Sequence, residues 1–126
     1  MFKQANVPNI PLKKRNIPAS IITEGSPKVH GRILSLSDDR CTARVAWKMT
    51  PGTVTMAVSD PNTSDLLYVL AGRAEVTPKG GSTDVLEPCT WYECPKTDYN
   101  LKVIDTFHKI SVIYNPNGLM LKPEPL

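Results

Sequence analysis

The chain has 126 residues, 40% of them hydrophobic and 21% charged, enough for one domain with a buried core and too few for two. Its formal charge of +3 is mild, and Lys and Arg are spread along the chain apart from Lys13, Lys14 and Arg15, so no nucleic-acid partner is expected. No apolar run is long enough to cross a bilayer, no secretory stretch follows Met1, and Cys41, Cys89 and Cys94 lack the paired spacing of a zinc site, which points to a reducing cytoplasm and no membrane partner.

Residues 1–28 carry Pro8, Pro11, Pro18 and Pro27, each of which removes a backbone donor and pushes its predecessor toward extended geometry. They read as an extended arm that lies on its own domain or crosses to a second subunit, with Ile10 and Ile17 as apolar anchors. From His30 the pattern changes to short β-prone runs: residues 31–36, a turn at 37–40, then 41–49 with Ala43, Val45 and Trp47 alternating, which predicts a hairpin. Pro51-Gly52 turns the chain into a strand over 53–58, and Asp60-Pro61-Asn62 ends it. Residues 65–70 form a nearly continuous apolar run, as in a strand covered on both faces, and Gly72 breaks it before 73–77. Lys79-Gly80-Gly81-Ser82 reads as a hairpin tip, and further strands are predicted at 85–86, 90–94, 101–104 and 107–114, with a loose tail over 119–126. About nine short strands at roughly ten-residue spacing predict an all-β sandwich or barrel.

The spacing of residues 52–72 resembles the first motif of the cupins, Gly-x5-His-x-His-x4-Glu-x6-Gly. Gly52, Val58, Asp60, Asp65 and Gly72 stand at its fixed positions, so the spacing matches while the imidazoles do not. The second motif, Gly-x5-Pro-x-Gly-x2-His, falls on Cys89, Pro95, Thr97 and Asn100, with only the proline retained. The run Val69-Leu70-Ala71-Gly72-Arg73-Ala74-Glu75-Val76-Thr77-Pro78 is similar to a cupin (RmlC-like) subgroup that reads V-L-E-G-R-V-E-V-T-P, and His108-Lys109-Ile110-Ser111-Val112 to its closing strand. The resemblance implies a single double-stranded β-helix, or jelly-roll barrel, over residues 29–118, preceded by the arm and followed by the tail. As in many relatives, a homodimer is expected.

A metal-binding cupin holds its ion with three imidazoles and a carboxylate, and here those positions are Val58, Asp60, Asn100 and Asp65. One apolar side chain, an amide and two short carboxylates make a poor site, so neither a metal nor any other cofactor is expected. In the family register Met56, Val58, Asp60, Asp65, Leu67 and Val69 point into the barrel, giving an apolar lumen with two acids at its mouth. Two close carboxylates cannot both ionise cheaply, which makes Asp60 and Asp65 candidate acid–base residues, although Asp60 fits a turn cap equally well. His108 is a third candidate beside its plainer reading as a strand histidine. Lys109 stands where that subgroup also has lysine and reads either as a neutraliser of an acidic ligand or, more simply, as a solvated strand lysine, and Cys94 reads as a buried thiol.

Met56, Val58, Leu67, Trp91, Tyr92 and Asn100 are the candidate ligand-binding residues; alternation puts Trp91 with Glu93 and Tyr92 with Cys94 without saying which pair faces inward. Two functions follow, and a third, the metal-dependent oxygenase that the resemblance would also allow, is disfavoured by the missing imidazoles. The first is a metal-independent isomerase, lyase or cyclase of a biosynthetic or catabolic pathway, working by proton transfer on a small, largely apolar molecule in the lumen. The second is a non-catalytic ligand-binding or sensory cupin; a lumen filled by side chains would favour a structural role over both.

Overall fold

The computed structural model describes residues 9–123; the remainder of the expected arm and tail, residues 1–8 and 124–126, lies outside the described residues. Among the described residues the chain is nine β-strands and one short 3-10 turn (Ala19–Ile21). The strands are β1 (Lys13–Arg15), β2 (Ile22–Gly25), β3 (Val29–Leu36), β4 (Thr42–Met49), β5 (Gly52–Met56), β6 (Ser64–Pro78), β7 (Asp84–Leu86), β8 (Trp91–Glu93) and β9 (Tyr99–Tyr114). They form one curled antiparallel sheet in the order β1-β3-β4-β9-β5-β2, with β6 paired to β7, β8 and β9. This is a cupin-type jelly-roll barrel. No helix of the described residues is long and apolar enough to cross a membrane.

Two long strands organise the barrel. β9 pairs with β5 through its first half (Gly52↔Val103) and with β4 through its second (Met49↔Phe107), while β6 runs antiparallel to it from Ser64↔Tyr114 to Pro78↔Tyr99. The sequence predicts four strands here, broken at Gly72 and near residue 105. The ladder instead continues through register shifts between Val69 and Ala74. Gly72 sits at φ 84°, and a Cβ there would overlap the Thr106 carbonyl. Glycine therefore lets β6 bend tightly against β9 without ending the pairing.

The arm joins its own barrel: β1 pairs with β3 and β2 with β5. Ile17, Ile21 and Ile22 pack on the main core, and Ile10 is buried with Leu34 and Ala46 on the outer side of the sheet. Alternation explains the division. Inward residues such as Val54, Leu67, Val69, Val76, Leu101 and Phe107 form the core. At one end the tail folds back, where Leu119 is buried with Leu36 and Ala43 and the Arg40 guanidinium donates to the Leu119 and Leu121 carbonyls.

Candidate functional site

The lumen is where the inward positions of β4, β5, β6 and β9 meet. Cross-strand register puts Trp47 beside Lys109 and Lys109 beside Val69, with Leu67 beside Ser111 one step away. Lys109 shares its face of β9 with the fully buried Phe107 and with Ser111, so its side chain enters the barrel. This corrects the expectation of a solvated lysine: the side chain is only 13% exposed. Its ammonium donates to Ser111 Oγ at 2.7 Å, lies 3.8 Å from Asp65 Oδ2, and sits 5.2 Å from the centre of the Trp47 ring. Three partners of different kinds thus replace the water that the cation gives up.

Cys94 and Tyr99 complete the polar group. Burial, and then the Asp65 charge beside it, push the Cys94 thiol up to about 11, so it stays protonated at neutral pH. Burial likewise raises the Tyr99 phenol well above its ordinary value, with Cys94 and Asp65 adding to the effect. Asp65 Oδ1 is sealed from solvent and finds no hydrogen-bond partner.

Around these groups the lumen leaves a cavity of about 60 Å³, walled by Trp47, Met56, Asp65, Leu67, Tyr99 and Lys109 among others. At about 30 Å³ per water, that is room for roughly two waters.

Of the nine residues singled out from sequence, Asp65, Met56 and Leu67 line this cavity. The other six do not. Val58 and Asp60 were expected inside, but β5 ends at Met56 and the following loop carries both away. The Val58 amide donates to Asp98 Oδ1, and Asp60 accepts from the Asn62 amide at 2.9 Å and the Asn115 side chain at 2.7 Å. Those bonds, the Asn62 amide first, hold the Asp60 carboxyl below the usual carboxylate range, opposite to the rise expected of a lumenal acid pair. Asp60 is a turn cap.

Asn100 faces outward in a row with Thr55 and Thr77, where its Oδ1 accepts from the Thr55 hydroxyl beside an open, polar groove of about 440 Å³. His108 is on the face of β9 opposite Lys109. Its Nε2 is sealed without a partner, and burial, then the Lys48 charge, lower the imidazole pKa.

On β8 the open question of facing is resolved. Cys94, just past the strand, is buried and Tyr92 packs on the core with its hydroxyl donating to Asp84, whereas Trp91 is 57% exposed and stacks obliquely on Tyr68 at 4.9 Å. The residues that sequence reasoning passed over, Trp47, Tyr99, Lys109 and Ser111, share one signal: each has the parity of a buried neighbour on its strand.

The donor set does not fit the metal that the fold often carries. Val58 brings no donor, Asp60 and Asn100 are turned away from the lumen, and Asp65 already faces the Lys109 cation. Among the described residues no three His, Cys, Asp or Glu side chains cluster as ligands would.

No family model matches the chain, and no curated protein does. Solved structures do. The cupin domain of Schizosaccharomyces pombe Cnp3 is 14% identical with a TM-score of 0.63, covering 90% of this chain and 74% of that one. The EutQ protein of Clostridium difficile is 20% identical (TM-score 0.61; 71% of this chain, 64% of that one). Ectoine synthase from P. lautus is 21% identical (TM-score 0.60; 71% of this chain, 66% of that one). The chain thus spans just under two thirds of the last two. At these identities the likeness shows the fold, which is that of the cupins.

Proposed function

We propose that this cupin-fold chain is a non-catalytic binding module whose lumen serves as core and whose outer β8–β6–β9–β4 face pairs with a second copy. One observation carries the reading: the lumenal cavity is about 60 Å³, whereas pockets that enclose a metabolite run to about 300–1,000 Å³. An isomerase, lyase or cyclase acting on a largely apolar molecule needs space that Trp47, Met56, Leu67 and Phe107 occupy. The lumenal cation is already engaged, Lys109 facing Asp65 Oδ2 and donating to Ser111. The solved relatives differ in kind, a synthase beside a cupin domain of a larger protein, so fold alone gives no reason to prefer catalysis.

The outer face is unlike the lumen. Leu66 (42% exposed), Val112 (37%), Tyr114 (45%) and Trp91 (57%) leave an apolar surface open, of the kind that marks an interaction site. Its charges suit a copy of itself. One cross-strand row reads Glu93, Leu66, Val112, Arg44. A two-fold axis parallel to the strands and between β6 and β9 reverses that row. It sets Leu66 over the partner's Val112 and Glu93 against the partner's Arg44, which is the self-complementarity an isologous interface needs. A reducing cytoplasm suits the three free cysteines.

Light scattering tests the pairing. The expected mass is twice that of the 13.9 kDa chain, falling to one chain in Leu66→Arg. Because Leu66 is exposed, that variant should keep monomer stability within about 0.5 kcal/mol. A wild-type monomer at tens of micromolar would reject this reading.

A further inference from the structure

A second feature of the outer surface stands apart from the pairing face. Where β1, β3, β4 and β9 lie side by side, one cross-strand row contains Lys14, His30, Lys48 and His108. The ammonium groups of this row, Lys14 and Lys48, lie two strand spacings apart with the His30 imidazole between them, and a nearby carboxylate would ordinarily balance them. No carboxylate does so from the strands concerned: within two positions of each of the four residues there is neither Asp nor Glu. On β6, the residue opposite His108 is Ala71, and the nearest acid along β9, Asp105, stands opposite Arg73 in the ladder.

The row opens onto a groove. At its β1 end Lys14, Arg15, Asn16, Pro27 and Lys28 wall a surface groove of about 330 Å³, whose lining among the described residues holds no acid. Arg15 is anchored there by donating to the Gly31 carbonyl. At the other end His108 Nε2 is sealed from solvent with no acceptor or donor in reach. Lys14 and Lys28 thus stand at the edge of open space, with Lys48 farther along the row.

We propose that this groove and the row leading from it, Lys14, Lys28, His30 and Lys48, bind the phosphoryl group of a small phosphorylated molecule or of inorganic phosphate. A phosphoryl group at neutral pH carries up to two charges and three acceptor oxygens, so one group answers several ammonium and imidazole donors at once. Three strand spacings separate Lys14 from His108, about 14 Å. That length suits a ligand of one or two phosphates, and it is far short of a nucleic-acid track.

The probe is inorganic pyrophosphate, titrated into the intact protein at low salt and followed by amide and histidine resonances, with glycerol phosphate and inorganic phosphate as parallel arms that separate an ester from the free anion. The expected result is saturable binding with shifts confined to β1, the 25–31 segment and the Lys48 region, weakened about tenfold by Lys28→Gln or Lys48→Gln. Lys96→Gln, which removes an exposed lysine outside the groove, should leave affinity unchanged. Shifts that never saturate, or an equal loss in Lys96→Gln, would overturn the proposal as diffuse attraction to a basic protein. All three substitutions are at exposed side chains, so the variants are expected to fold.

Discussion

The protein's two tryptophans report two very different surroundings. Trp47 lines the lumen, its ring 5.2 Å from the Lys109 ammonium, in a cavity of about 60 Å³. Trp91 is 57% exposed on the outer face, leaning on Tyr68 in the open apolar patch with Leu66 and Val112. A barrel that encloses a ligand leaves far more room inside. Here side chains fill most of the interior, with Lys109 held by Asp65 and Ser111, while the open apolar and cationic surfaces lie outside. On the proposed reading, the cupin shape serves chiefly to hold that outer face in position.

The sharpest way to break this contrast is to remove Lys109. Lys109→Met strands the Asp65 carboxylate in the lumen, and urea unfolding should register a loss of about 2–4 kcal/mol. Adding Asp65→Leu should bring stability back to within about 1 kcal/mol of the wild type, because a buried ion pair is replaced at little cost by apolar side chains of similar size. A double variant no more stable than the single would mean that the pair does more than fill the core.

A smaller effect is expected from His108, on the outer side of the same strand. Its folded pKa is depressed by burial and by Lys48, so the unfolded chain takes up the proton first. Stability should then fall as pH drops through the unfolded value of about 6.5, and level off only below the lowered folded pKa. His108→Gln should flatten that slope in pH-dependent unfolding, and an unchanged slope would assign it to other groups.

Much of the fold was legible because alternation is a direct consequence of sheet geometry. The hairpin of β3 and β4 follows from period two, and the inward facing of Leu67 and Val69 from period two once the motif spacing sets the register. The limits of the long strands were not legible. Gly72 has the look of a strand terminator, yet its positive φ serves a bend inside a continuing ladder, and only the position of the Thr106 carbonyl shows this. Cys89 shows the converse: it replaces a motif glycine and still adopts a positive φ of 65°.

The candidate site was half legible. Motif spacing brought Asp65 into the lumen but also suggested Val58 and Asp60, because spacing counts residues and does not see where the ladder with β9 stops. Lys109 was misread for a different reason. Its charge argued for solvent, while its parity with Phe107 and Ser111 argued for the interior, and partners from three other strand positions made the interior affordable in solvation terms.

The most direct test of the account uses the two indole N–H resonances in one series of nitrogen–proton spectra recorded as the protein is diluted from hundreds to a few micromolar. The Trp91 signal is predicted to move with concentration as the outer face is uncovered, while the Trp47 signal holds its place. A Trp91 resonance that stays fixed throughout would contradict the claim that the outer face is where this barrel acts.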